Sequence, residues 1–424
     1  EYVPLQQEAR GGKIITQFDM YCLDLNAVSN NEAVGLIKFD FLGLRNLTII
    51  ENALEFVKKR TGDVIDIHNV LLDDQKTFDL LAQGKTVGVF QLESRGMRRL
   101  AKDLKPTKLT DITAMVALYR PGPMELIPSF LQGKKNPKSI KYLHKDLQPI
   151  LAETYGVLVY QEQVMSIAHS IAGYTMSEAD GFRMAMGKKK KALMKKEKIK
   201  FTEQAEEKGY SRIMIEKLYA AIEKFAAYGF NKPHAASYAL IAYWTAYIKA
   251  NYPVEYMAAL LTAELQGAAG AQREAKMFQA IEECKSMEIK VLPPDINKSE
   301  HDFSIESKAI RFGLTAIKNV GHAAIESILS AREEHEFVGL KDFLSRVDVR
   351  KANKKTIESL IKAGAFDAFG TRAGLLQYYP KALSDASSRR IQHASGQFAL
   401  FGEVSQEYIS DSDMIEVPEM SDNA

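Results

Sequence analysis

Lys38 and Asp40 stand two residues apart in an otherwise apolar run, Val34-Gly35-Leu36-Ile37-Lys38-Phe39-Asp40-Phe41-Leu42-Gly43-Leu44-Arg45. Strand alternation puts both side chains on one face. A buried carboxylate is costly unless it is neutralised, hydrogen-bonded or holding a metal. Asp40 is therefore the first candidate for chemistry, as a metal ligand beside a cation that could contact phosphate. A strand-end Asp facing solvent, in a plain Lys–Asp pair, fits the same spacing. Phosphoryl transfer on a metal needs two or three convergent carboxylates. No second acid lies near Asp40 on a recognisable neighbouring strand.

Other segments carry types suited to polyanions. From Gly181 to Lys191, Arg183 precedes a glycine and then Lys188, Lys189, Lys190 and Lys191. Arg suits bidentate phosphate contact, and Lys suits longer-range attraction of a phosphodiester backbone. A solvated helix face is the plainer reading. Phe225 to His234 gathers Tyr228, Asn231, Lys232 and an imidazole after a helix stop. Aromatics there could stack on bases while Lys232 reaches phosphate; a capped inter-helix turn fits as well.

Gly313 to His322 holds an Ile317-x-x-Val320-Gly321 turn that opens a helix. Such a turn, here with Lys318, points backbone N–H groups outward and binds phosphate without reading sequence. Asn319 stands where Gly is commoner, and Asn tolerates a left-handed backbone. A second, degenerate unit follows at Lys354–Phe366, its helix stopping at Gly364. A plain helical hairpin is the alternative. In the polar tail, Gln397-Phe398-Ala399-Leu400-Phe401 could plug Leu400 and Phe401 into a partner's pocket. Chance or a local packing clip would also produce it.

The elements that must position these residues follow from periodicity. Helices are expected over Thr48–Lys59, Thr77–Leu81, Arg95–Leu104, Glu162–Ala172, Ile213–Tyr228 and Ala236–Ala250, with an extended Thr86–Phe90. Arg120-Pro121-Gly122-Pro123 is a forced turn. Pro293-Pro294-Asp295-Ile296-Asn297 breaks the pattern, two helical hairpins follow in Ile310–Phe369, and the chain turns polar, with disorder expected, after Asp385.

The chain has 424 residues, 46% hydrophobic and 26% charged, enough for about two to four domains of ordinary globular composition. A net charge of +2 conceals an asymmetry. Nine basic residues face one acid between Arg183 and Lys200, and seven acids with no Lys or Arg follow Gly402. That contrast points to a polyanion-binding interior and a solvated tail. Cys22 and Cys284 lie far apart and near no His cluster, which excludes a disulfide framework or zinc site and fits a reducing cytoplasmic setting. No apolar stretch reaches about 18 residues, so no membrane span is expected. The chain opens Glu-Tyr-Val-Pro rather than Met and reads as a fragment.

Taken together, the segments resemble the C-family replicative polymerases, the α subunits of bacterial DNA polymerase III. The resemblance is carried by Lys38 to Arg45, Val89-Phe90-Gln91-Leu92-Glu93-Ser94-Arg95-Gly96-Met97, Tyr119 to Pro123, Tyr160-Gln161-Glu162-Gln163-Val164-Met165, Arg183 to Lys190, Tyr228 to His234, and Pro293 to Asn297. Their order and separations match the family to about Gly402. It implies a mainly α, multidomain fold: a small α/β remnant of a polymerase β-like palm at 1–47, helical fingers at 48–292, tandem helix-hairpin-helix units in a DNA- and clamp-binding region at 293–385, and a flexible tail at 386–424.

The same resemblance implies roles. Asp40 would be the third of three catalytic aspartates, binding Mg²⁺ at a site that holds two ions in the complete enzyme, with Lys38 contacting phosphate. Arg183 would face the incoming triphosphate and Tyr228 the nascent pair. The family often has a second Arg beside the first, where this chain has Met184. Lys188–Lys191, Lys232, Lys318, Asn319 and Gly321 would contact primer–template DNA, and Gln397, Leu400 and Phe401 a sliding clamp. Partners would be DNA, deoxynucleoside triphosphates (dNTPs), the clamp and other replicase subunits, with no membrane. The first two aspartates, the thumb and a phosphoesterase-like domain are expected upstream of Glu1. The chain alone should then be inactive. The alternative is a non-catalytic DNA- and clamp-binding descendant of the polymerase.

Overall fold

At the N-terminus β1 (Leu5–Gln7) pairs antiparallel with β2 (Ile14–Thr16), Gln6 opposite Ile15, and a helical turn, α1 (Met20–Leu23), follows. The computed structural model describes residues 3–8, 12–23, 34, 36, 43–188, 191–226, 228–267 and 270–394. The chain to Arg45 forms one unit and the chain from Asn46 another. The architecture is mainly helical with two small sheets, as the resemblance implied.

In the second unit, α2 (Arg45–Thr61), α3 (Gln75–Ala82), α4 (Arg95–Leu104), α5 (Leu109–Leu118), α6 (Ile127–Lys135) and the short α7 (Gln148–Leu151) come first. Then follow α8 (Gln161–Ile167), α9 (Met176–Lys188), α10 (Lys191–Glu207), α11 (Arg212–Ala226), α12 (Lys232–Asn251), α13 (Pro253–Gly267) and α14 (Gly270–Ser286). Apolar cores hold them, two of which bear on the site. One joins α2, α13 and α14 through Ile49, Ile50, Met257, Leu261 and Cys284. The other joins α8 to α11 through Val164, Phe182, Phe201 and Ile215. On α12, Ala235, Ala239, Ala242 and Ala246 have no exposed surface, and these small side chains let α3 and α5 close on it.

Helix ends follow local chemistry. α12 starts earlier than the expected Ala236, because Asn231 caps it: the side-chain oxygen accepts from the His234 N–H at 2.9 Å. It ends before Tyr252-Pro253, where proline disfavours the helical backbone of its predecessor. α11 ends at Ala226, leaving Tyr228 in the turn beyond it rather than on the helix. The α8 segment changes to a π turn over Ala168–Ala172 and stops at Gly173.

Thr86–Phe90 is not extended but a succession of turns. Its polar groups bond to side chains from α12 and α13 instead of a strand partner. Lys249 Nζ donates to the Lys85 and Val87 carbonyls at 2.9 and 2.8 Å and to Glu283 Oε1 at 2.5 Å. The Tyr256 hydroxyl donates to the Gly88 carbonyl at 2.8 Å, and Thr245 Oγ1 accepts from the Phe90 N–H at 3.1 Å. Burial lowers the Lys249 pKa to about 8, against the upward pull of Glu283.

Beyond α14, β3 (Val291–Leu292) pairs parallel with β5 (Ala309–Arg311), which pairs antiparallel with β4 (Ser304–Glu306). This sheet packs on α13 and α14. A separate core joins α15 (His322–Glu334), α16 (Leu340–Arg346), α17 (Lys354–Lys362) and α18 (Arg372–Ala394). The first hairpin enters through a 3-10 turn, Leu314–Ala316, in place of a short α-helix. Asn319 takes the left-handed conformation expected of it, φ 67°. α17 is capped by Asn353, and Gly364 beyond it has φ 87°. α18 runs on past Asp385 to Ala394, so the polar composition there belongs to a helix.

Candidate nucleotide and nucleic-acid interface

Arg183 and the turn carrying Tyr228 meet through one side chain. Gln161, first residue of α8, accepts from Arg183 Nη1 at 3.2 Å and donates from Nε2 to the Gly229 carbonyl at 2.9 Å. Its backbone N–H donates to the Phe230 carbonyl at 2.9 Å. Glu162 extends the clamp, accepting from Asn231 Nδ2 and the Lys232 N–H, both at 3.0 Å. The 229–232 segment is thus fastened to the N-terminus of α8. Arg183 itself is held by Asp180, whose Oδ1 lies 2.8 Å from both Nε and Nη2.

Arg120 fixes the other side of the turn. Its Nη2 donates to the Tyr228 carbonyl, its Nε donates to the Ala117 carbonyl at 2.9 Å, and its guanidinium lies 4.4 Å from the Phe230 ring centroid. Burial lowers the Arg120 pKa. Two glycines lie against aromatic side chains here. Gly122 has φ 96°, and a Cβ there would fall 2.4 Å from the Tyr228 ring. A Cβ on Gly96 would fall 1.6 Å from the Tyr119 hydroxyl. Tyr228 remains 47% exposed. Gln161, Asp180 and the roles of Arg120 and Gly122 were missed from sequence. Gln161 lies within Tyr160–Met165, and Arg120 and Gly122 within Tyr119–Pro123.

The predicted lysines differ in their surroundings. Lys232 Nζ pairs with Glu153 Oε2 at 2.6 Å and sits 5.6 Å from the Tyr160 ring, so its charge is partly committed. Lys188 ends α9 and Lys191 begins α10, while Lys189 and Lys190 lie outside the described residues. Further along α10, Lys200 pairs with Glu178 at 2.8 Å and lies 4.5 Å from the Tyr174 ring centroid.

Lys318 and Asn319 line an open groove of about 710 Å³ whose far wall includes Lys355, Ser359 and Lys362. Both are exposed, as is Gly321 at the start of α15. A Cβ on Gly321 would meet nothing within 4 Å, and its φ of −88° suits any residue. Neither backbone strain nor internal packing therefore demands glycine. Lys355, in the Lys354-Lys355 pair that starts α17, adds a cation to this groove that the sequence reading did not assign to DNA.

Lys38, Asp40, Gln397, Leu400 and Phe401 lie outside the described residues. Among the described residues no three of His, Cys, Asp and Glu converge to hold a metal ion. Both cysteines are free. No helix among the described residues is long and apolar enough to cross a membrane.

The sequence is similar to those of known proteins. A family model described as the bacterial DNA polymerase III alpha subunit finger domain matches residues 46–209, and a helix-hairpin-helix motif matches residues 288–375. The chain is 47% identical over 399 residues to DNA polymerase III subunit alpha of Saccharopolyspora erythraea, covering 92% of this chain and 32% of that protein. It is 45% identical over 412 residues to the Thermus aquaticus subunit, covering 96% and 32%. For the Mycobacterium tuberculosis subunit the identity is 43% over 410 residues, covering 95% and 33%. The chain spans about a third of the length of these curated relatives. Similarity of this depth along nearly its whole length, through finger helices and hairpins alike, makes the chain a member of the bacterial DNA polymerase III α-subunit family.

Proposed function

We propose that this chain is the nucleotide- and duplex-gripping portion of a replicative DNA-directed DNA polymerase. In the longer protein a primer 3′-hydroxyl attacks the α-phosphate of a dNTP and pyrophosphate leaves. The observation that carries this reading is the bonded link from Arg183 through Gln161 to the Tyr228 turn. A guanidinium tied to a turn that carries an exposed aromatic residue suits a triphosphate and the base pair it joins. Asp40 and Lys38 belong to the reading as a Mg²⁺-binding carboxylate and a phosphate-contacting cation. The remaining carboxylates of a two-metal site would come from beyond the described residues.

Residues 48–292 then act as fingers and 293–385 as the duplex-binding region. Lys318, Asn319 and Gly321, with Lys188–Lys191 and Lys232, would contact the DNA backbone. An open Gly321 at a helix start, with no internal reason to be glycine, supports close approach of a phosphate. In the tail at 386–424, Gln397, Leu400 and Phe401 would dock into a sliding clamp. Replacing Leu400 and Phe401 by Ala should abolish clamp binding and spare DNA binding. The chain alone, a third of its relatives' length, should bind DNA without extending it.

The deciding experiment is single-nucleotide extension by the full-length protein with Arg183→Ala. Hydrogen bonds to charged groups are worth about 1.5–3 kcal/mol, so the KM for dNTP should rise about tenfold or more. An unchanged KM would remove Arg183 from nucleotide binding. Template-directed extension by the isolated chain would overturn its assignment as a partial site.

A further inference from the structure

Arg183 carries a carboxylate where the reaction calls for a phosphate. Its Nε and Nη2 are both within 2.8 Å of Asp180 Oδ1, and its Nη1 donates to Gln161. The two partners differ in kind. Gln161 is a neutral amide anchored at its other end to the Gly229 carbonyl, so it does not compete with an incoming anion. Asp180 sits three residues back on the same helix, and both members of the pair are partly solvated, Arg183 32% and Asp180 46% exposed. Ion pairs of that exposure hold weakly. A polyphosphate brings more charge to the same fork of donors.

We propose that Asp180 is a displaceable counter-ion for Arg183. Before nucleotide arrives it keeps the guanidinium extended beside the Tyr228 turn. The triphosphate then takes its place on Nε and Nη2, while Gln161 keeps Nη1 tethered. Asp180 is thus a positioning residue that sets the affinity threshold: an anion must outbid one carboxylate to engage the fingers. The inference rests on the reading of Arg183 as the triphosphate contact.

The test is steady-state extension by the full-length protein carrying Asp180→Asn, Arg183→Ala, or both. Asp180→Asn should lower the KM for dNTP about two- to fivefold, with the change in KM rather than kcat. The gain should shrink as salt rises, because the competing pair is exposed. Combined with Arg183→Ala, Asp180→Asn should give no further gain. If Arg183→Ala leaves KM unchanged, the reading of Arg183 fails and the inference with it. If Arg183→Ala raises KM while Asp180→Asn raises it too or leaves it unmoved, only the counter-ion role is overturned. A merely structural Asp180 would lower thermal stability without lowering KM, and Asp180→Glu, which keeps the charge, should retain the wild-type KM.

Discussion

Asn319 donates its side-chain amide to the Ser359 hydroxyl at 3.0 Å, and its backbone carbonyl accepts from the Thr356 hydroxyl at 2.9 Å. One residue in the left-handed conformation thus ties the turn of the first hairpin to α17 of the second. Lys318 beside it and Lys355 on α17 line the same groove, so the pair sets the spacing of two positive sites.

That tie predicts an ordered series of stabilities. Asn319→Gly keeps the left-handed turn and loses only the Ser359 contact, a net loss of about 0.5–1.5 kcal/mol. Asn319→Val must hold a β-branched residue at φ 67°, which adds about 1–3 kcal/mol of strain. Urea denaturation of the two variants checks it. Equal losses would show that the backbone conformation is not what Asn supplies.

Salt dependence tests the groove. DNA binding by this chain should weaken steeply as salt rises. Lys318→Ala and Lys355→Ala should each reduce the slope of log K against log[salt] by about 1. Unchanged slopes would place the phosphates elsewhere.

The turn at Thr86–Phe90 depends on a fully buried cation. Lys249→Met strands the Glu283 carboxylate and two main-chain carbonyls, and should cost about 3–5 kcal/mol in denaturant unfolding. Adding Glu283→Leu should recover much of it, since apolar replacement of a buried pair is often neutral. A double variant no better than the single one would assign the loss to the carbonyls.

Glu178 provides a pH signature. The hydrogen bond from Lys200, with those from Thr175, lowers its pKa from 4.5 to about 2. A depressed carboxylate stabilises the fold above its unfolded pKa, and that contribution is lost as pH falls from 4.5 toward 2. Thermal melts of the wild type should therefore fall more steeply through that window than those of Glu178→Gln. Parallel curves would mean that the Lys200 contact does not persist in solution.

Local sequence determines much of this protein. The helix periods, the stop before Tyr252-Pro253 and the left-handed Asn319 follow from rules that act within a few residues. Arg183 and Tyr228 stood out as residue types suited to phosphate and to stacking, and only the family resemblance gave them nucleotide-facing roles. Tertiary structure alone decided that Gln161 joins them, that Asp180 occupies the guanidinium, and that Gly96 and Gly122 make room for Tyr119 and Tyr228. It also turned Thr86–Phe90 from an expected strand into a loop held by Lys249. The physical reason is common to all of these. A hydrogen bond or close contact between residues 161 and 229, or 85 and 249, depends on how helices pack, and local propensity carries no record of a partner so distant in the chain.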